Sequence, residues 1–241
     1  MFSMDRFQFV RAKSDELIKE TYRLRYEIYG KEFGFENVDE FPDGLETDEY
    51  EPYSIYFVAL DGEEVVGTVR MVFHSEKGFP IEHAASIDFP GYPPPPDKTS
   101  EVSRLAVSAS YRRRRGDGFY GLESYLKVSE GGLVPDSGPV PQTYLKRKRP
   151  VIIQGLYKAV YMESKVRGLT HLYFIVEQKL YNSLRKFGFA IKQVGDAVEY
   201  HGIRIPCIGV LDEMDRSMKE NSREMYDFIY KDLDKEYHPF Q

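Results

Sequence analysis

The chain holds a single cysteine, Cys207, in 241 residues, which excludes internal disulfides and any thiolate metal cluster. No run approaches the ~20 apolar residues that a membrane-spanning helix requires, so no span is expected. The opening MFSMDRFQFVRAKSDE lacks the basic head, apolar middle and small-residue cleavage site of a secretory signal. The cytoplasm is therefore the expected compartment, with peripheral membrane association left open. Standard signatures are missing too: there is no P-loop, no G-x-S-x-G and no H-E-x-x-H. His74, His83, His171, His201 and His238 show no ligand spacing, so no metal is expected and each reads as structural or exposed. A net charge of −6 argues against general nucleic-acid binding.

What is present is enough for a substantial core, since 41% of residues are hydrophobic and 15% aromatic. Ser14 is placed to cap a helix whose first turn carries Asp15 and Glu16. Ile18, Tyr22, Arg25 and Tyr29 fall on one stripe of that helix, so Arg25 is expected to pair with a carboxylate from the acidic segment that follows, the alternative being that its long stem reaches out to water. Residues 35–51 read as a loop. SIYFVAL (54–60) and EVVGTVRMVF (64–73) read as a hairpin joined at Asp61-Gly62. PGYPPPP (90–96) reads as a rigid connector, and EVSRLAV (101–107) as the next strand. Six glycines and four prolines mark 116–150 as an insertion, with a short helix expected near 121–129. A helix opened by Pro150 and closed by Gly168 follows, then a strand buried on both faces at 171–176 and a helix at 177–187. Strands at 189–200 and 203–211 end the domain. From Asp212 on the pattern is helical, charged and expected to be peripheral. The order predicts an α/β fold with a central mixed sheet flanked by helices: one domain over 1–212 with the 116–150 insertion, and a helical tail over 213–241.

Two constellations could carry chemistry. Arg113 to Gly118 (R-x-x-G-x-G) follows the 101–107 strand, where the glycines could free backbone N–H groups to cradle a phosphate. The basic blocks at 112–115 and 146–149 could equally be solvated surface or dock an anionic partner. The second set comprises Asp48, Glu51, Arg70, Glu101 and Arg104, with Arg25 behind. Positions 101 and 104 of a regular strand face opposite ways, so if both serve one site the strand must be bulged. A bulge would also expose N–H groups of the kind that form an oxyanion hole.

At LRYEIY (24–29), ETDEYE (46–51), VVGTVRMV (65–72), EVSRLAV (101–107) and SLRKFGF (183–189) the sequence resembles the acyl-homoserine lactone (autoinducer) synthases of the Gcn5-related N-acetyltransferase (GNAT) superfamily. It looks closer still to the N-acyl amino acid synthases and the exosortase-associated acyltransferases. The resemblance implies the GNAT fold and places Arg25, Tyr29, Phe35, Asp48, Glu51, Arg70, Phe89, Glu101 and Arg104 on the family's signature positions. Three positions depart from it. The family usually has phenylalanine at the position of Tyr29, tryptophan at that of Phe35 and aspartate at that of Glu51. Leu184 stands where the superfamily often has a tyrosine acid, with Tyr181 one turn earlier.

The implied activity is N-acyl transfer from a carrier thioester to an amino acid or similar small amine. The donor would be the phosphopantetheine thioester of acyl-carrier protein, or acyl-coenzyme A, with no tightly bound cofactor. Glu101 would take the amine proton, and N–H groups around Arg104, Leu105, Ala106 and Val107 would hold the oxyanion. Arg113, Gly116 and Gly118 would meet the donor phosphate, and the acyl tail would lie between the sheet and the 151–167 helix. The arginines would orient an acceptor carboxylate or tie Asp48, Glu51 and Glu101 into place. The alternatives are autoinducer synthesis from S-adenosylmethionine, short-chain acetyl transfer from acetyl-coenzyme A, and a non-catalytic acyl-binding module.

Overall fold

A computed structural model describes residues 1–89, 91–111, 126–129, 132–135 and 148–239. Two strands precede the first helix, β1 (Phe2–Met4) and β2 (Phe7–Ala12). They went unread in the sequence although FQFVRA alternates, burying Phe7 and Phe9. Helix α1 (Asp15–Arg25) is capped by Ser14, whose hydroxyl accepts from the Leu17 N–H at 3.3 Å, and continues as a π-helical turn, Tyr26–Glu32. The predicted hairpin is β3 (Ser54–Asp61) and β4 (Glu64–Phe73), followed by short helix α2 (Pro80–Ala84) and β5 (Thr99–Val107). Residues Leu126–Ser129, expected as part of a helix, form strand β6, paired antiparallel with β7 (Gly132–Pro135).

Helix α3 (Lys148–Val166) starts two residues before Pro150, which its first turn tolerates; Gly168 ends it with φ +64°. Then come β8 (His171–Val176), α4 (Gln178–Lys186), β9 (Ile191–Gln193), β10 (Val198–Glu199), β11 (Ile203–Val210), α5 (Leu211–Asn221) and α6 (Arg223–Tyr230). The single strand expected at 189–200 is broken into β9 and β10 around Gly195. There the 86–88 segment crosses so closely that a Cβ at Gly195 would lie 2.2 Å from the Ser86 carbonyl oxygen.

The sheet runs β1-β2-β3-β4-β5-β8-β11-β10, with β9 also on β11. It is antiparallel except at β5–β8, which are parallel. Side-chain alternation separates its faces. Phe57 and Ala59 of β3, with Val69 and Met71 of β4, join the main core under α3, while Tyr56 and Val58 pack with Leu17, Ile18 and Tyr22 of α1. The α3 seam is close. A Cβ at Gly155 would sit 2.1 Å from the buried Phe9 ring, and one at Gly67 2.6 Å from Ile152.

The C-terminal segment is helical as expected but not peripheral. Met214, Met218, Ile229 and Tyr230 are buried in the main core. Buried Asp215 accepts from the hydroxyls of Tyr161 and Tyr230 and pairs with Lys165 Nζ at 2.7 Å. Charge and periodicity alone conceal this, because the charged residues occupy only the outer face of an amphipathic pair.

The seam yields a prediction. Gly155→Ala should lower Tm, because overpacking of about 1–3 kcal/mol outweighs the ~1 kcal/mol gained in helix propensity. A raised Tm would show the seam to be loose.

Candidate active site

The site begins where the sheet splits. The parallel ladder pairs Thr99 with His171, Ser100 with Leu172 and Glu101 with Tyr173, and then stops. Beyond it Val102 to Leu105 on β5 and Phe174 to Val176 on β8 line a cavity.

On its other edge β5 carries a bulge. The register with β4 shifts between Arg70↔Ser103 and Thr68↔Ala106, so Arg104 and Leu105 together oppose Val69. Arg104 has φ 51°, a left-handed conformation that a non-glycine residue adopts only against a steric cost of about 1–2 kcal/mol. The expected bulge thus exists, one step downstream of the 101–104 interval. It reverses the alternation: Ser103 Oγ accepts from Arg70 Nε at 3.1 Å on the α1 side, yet Val107 joins the core under α3. Arg104 is thereby brought to the same carboxylates as Arg70.

Those carboxylates form a lattice with three guanidinium groups. Arg25, wholly buried, pairs with Glu46 and with Glu51 at 2.9 Å. Arg70 reaches Asp48 at 2.7 Å and Glu51 at 3.4 Å. Arg104 reaches Glu46 at 3.1 Å, Glu36 at 3.2 Å and Asp48 at 3.4 Å. The acidic loop is itself pinned: the Glu46 N–H donates to the Tyr22 carbonyl at 3.2 Å, and the Tyr50 N–H to Asp48 at 2.9 Å. Burial alone would raise the pKa of Glu46, but Arg104 and Arg25 hold it below the usual value. Asp48 is likewise lowered against its burial, by Arg70 and Arg104. Glu36 goes the other way, because burial outweighs Arg104.

Tyr29, in the π-helical turn, donates its hydroxyl to the Leu105 carbonyl at 2.8 Å and lies under the Arg104 guanidinium. The hydroxyl that sets it apart from the resembled family thus holds the bulge.

Glu101 stands apart from the lattice. One carboxylate oxygen accepts from the Ile81 N–H of α2 at 2.8 Å, and among the described residues no arginine is tied to it directly. Burial raises its pKa to about 7, against the pull of the Ile81 N–H, Arg70 and Arg104.

The cavity passes through the split, from Glu101, Ser103 and Ile81 on the α1 side to Tyr157, Val160 and Tyr161 of α3, then Leu180 and Leu184 of α4. It holds about 1230 Å³ of space not filled by atoms, counting its open mouth. At that mouth the β10–β11 turn sets His201 (φ 53°) against Phe35, with ring centroids 5.1 Å apart. Burial, Arg104 and Arg204 lower the His201 pKa; its ring lies 3.7 Å from Glu36.

Of the residues singled out in the sequence, Tyr29, Phe35, Arg70, Glu101, Arg104 and Leu105 line the cavity. Arg25, Asp48 and Glu51 stand behind it in the lattice. Three do not join them. Phe89 packs on the Tyr173 ring at 6.1 Å in a separate apolar cluster. Ala106 and Val107, past the bulge, are buried in two other clusters. Arg113, Gly116, Gly118 and the basic blocks lie outside the described residues, apart from the backbone of Lys148 and Arg149 in α3. Glu46, the deepest partner of Arg25, was not selected, although Arg25's need for a carboxylate pointed to its segment. Glu36, Tyr200, His201 and Arg204 gave no signal, since only the folded sheet brings residues 36 and 201 together. Among the described residues, no group of three His, Cys, Asp or Glu could hold a metal ion, and no helix is long and apolar enough to cross a membrane.

Residues 24–120 match the acetyltransferase (GNAT) domain family. With the split mixed sheet, that match defines the class of fold: residues 24–120 are similar to a GNAT acetyltransferase domain, and the mixed sheet flanked by helices is of the GNAT type. Among solved structures it is similar to TofI in a ternary complex with an inhibitor and MTA, at TM-score 0.60 and 14% identity, over 96% of this chain and 100% of that one. It is similar to BjaI, a CoA-dependent acyl-homoserine lactone synthase solved with SAM and isopentyl-CoA, at TM-score 0.57 and 20% identity, over 90% and 82%. It is also similar to FeeM, an N-acyl amino acid synthase from uncultured soil microbes, at TM-score 0.52 and 12% identity, over 88% and 94%. At such identities the likeness is one of fold. No curated protein matches the chain.

The raised pKa of Glu101 makes a signed prediction. Folding favours its protonated form, so the stability this group adds is complete below the unfolded value of 4.5 and is lost as pH rises through about 7. Glu101→Gln, which cannot ionise, should therefore gain stability relative to wild type across that interval and hold a constant advantage above it. Urea titrations at a series of pH values check this; a difference that does not vary with pH would contradict the burial argument.

Proposed function

We propose that the chain transfers a fatty acyl group from a carrier thioester, acyl-carrier protein or acyl-coenzyme A, to the amine of an amino acid or similar small acceptor. The observation that carries this reading is the cavity through the split sheet. At the split it holds a buried carboxylate, Glu101, whose pKa is raised to about 7, and its depth is lined by aliphatic and aromatic side chains. A short acetyl group would leave most of that apolar wall uncovered.

The thioester carbonyl would lie against β5 at Arg104 and Leu105, where backbone N–H groups released by the bulge polarise it and hold the tetrahedral oxyanion. The acceptor arrives as an ammonium and must lose a proton to attack; Glu101 accepts it, directly or through a water. Nitrogen then bonds to the acyl carbon, the carbon–sulfur bond breaks, and the thiolate leaves with the electron pair. A thiol of pKa ~8.5 leaves with little acid assistance, in keeping with an apolar Leu184 in the cavity wall.

The acceptor meets a mouth that is net negative. With Arg204, which lines the cavity, and its partner Glu177 included, four guanidinium groups face the five carboxylates of Glu36, Glu46, Asp48, Glu51 and Glu177, before Glu101 is counted. That surplus favours an ammonium. It supports the tying role of the arginines over the orienting of an acceptor carboxylate, because carboxylates of the chain already pair with each of them. The same surplus suits the S-adenosylmethionine cation of the autoinducer reading.

Mass spectrometry of lipid extracts from cells expressing the chain separates these readings, an acyl-amino acid supporting the first and an acyl-homoserine lactone the second. With the acceptor in hand, Glu101→Gln should lower turnover by about a hundredfold or more, and wild-type kcat/KM should rise as pH passes through about 7. An unchanged rate removes Glu101 as the base. No new acylated amine removes the proposal.

A further inference from the structure

The acyl cavity is separated from a second cavity by a thin partition. Tyr157 of α3, Leu184 of α4 and Phe189 line both spaces. The second space, a narrow crevice of about 310 Å³ not filled by atoms, counting its open side, lies beneath α6, whose Met225, Phe228 and Ile229 form its far wall. Its one charged neighbour among the described residues, Lys158, is committed elsewhere, with Nζ donating to the Phe228 carbonyl at 2.6 Å and pairing with Asp232. The rest of its lining is apolar apart from Gln154 and the Tyr157 hydroxyl. An apolar void forfeits dispersion contacts along its lining, and the fold would be expected to collapse onto it. It lies beside the C-terminal end of α6, which is held by Lys158 at Phe228 and Asp232 and by the Tyr230 hydroxyl on Asp215.

We infer that Tyr157, Leu184 and Phe189 set the longest acyl chain the enzyme accepts, and that the chamber beneath α6 is the space a longer chain enters when the partition is cut back. This inference rests on the acyl-donor reading above and adds to it the residues that measure the acyl group. It also gives the C-terminal helices a part in specificity, as the far wall of the chamber.

The test is calorimetric binding of a graded series of S-alkyl pantetheine thioethers, from butyl to hexadecyl, which cannot be turned over. For wild type, affinity should climb about fourfold per buried methylene and level off once the chain meets the partition. In Tyr157→Ala the climb should continue for several further carbons. Adding Met225→Trp to that variant should fill the chamber and restore the wild-type plateau. Leu184→Ala serves as the second opening variant if circular dichroism shows that Tyr157→Ala has lost its fold. A plateau unmoved in the folded opening variants overturns the inference and leaves the donor reading intact. A wild-type chain that binds none of the series contradicts both.

Discussion

Three buried or nearly buried guanidinium groups cannot be left without partners, and meeting that requirement organises this molecule. Arg25 comes from α1, Arg70 from the middle of the sheet and Arg104 from the bulge. Their carboxylates all come from the 36–51 segment, which has almost no regular structure of its own. Breaking one such buried pair by removing a single partner costs about 3–5 kcal/mol, so the loop is fixed by charge where it lacks a hydrophobic face to fix it. The same pairs offset the cost of holding Arg104 left-handed. Helix, loop and strand are joined at this one lattice.

The bulge has two consequences that a straight strand would not. It turns Arg104 to the side of the sheet where the carboxylates lie and releases the backbone of β5 from its regular ladder. On the other edge of β5, β8 parts from it after Tyr173, and the opening between them leads from the charged side of the sheet to the apolar side under α3. Polar chemistry and apolar binding therefore occupy opposite ends of one passage, with Glu101 at the last paired position before the strands diverge. Its buried surroundings and the Ile81 N–H act on the carboxylate in opposite directions, and burial prevails.

Much of this was legible before any coordinates. The α1 stripe carrying Arg25, the 54–73 hairpin, the α3 helix and the buried 171–176 strand follow from periodicity and turn chemistry, which are local. The need for a bulge followed from asking how Glu101 and Arg104 could share a site. Other features were not local. Whether 189–200 is one strand or two depends on the 86–88 segment pressing on Gly195. Which of several acidic residues meets Arg25 depends on how the loop folds back over Tyr22. His201 reaches Phe35 only through the order of strands in the sheet. The C-terminal helices looked peripheral because their charged residues are conspicuous in sequence, whereas Met214, Met218 and Ile229 show their worth only against α3. Ala106 and Val107 lie just past the bulge and do not line the cavity, although Ala106 packs with Tyr29 and Phe35, which do.

The central claim is that a thioester lies on the unpaired edge of β5 with its acyl chain threaded through the split. A crystal structure of the chain with a non-hydrolysable acyl thioether of the carrier arm tests it most directly. The account predicts the sulfur and the adjacent carbon beside Arg104 and Leu105, within reach of Glu101, and the alkyl chain running past Val160 and Tyr161 toward Leu184. An alkyl chain outside the split, or a β5–β8 ladder closed beyond Glu101 and Tyr173, would contradict it.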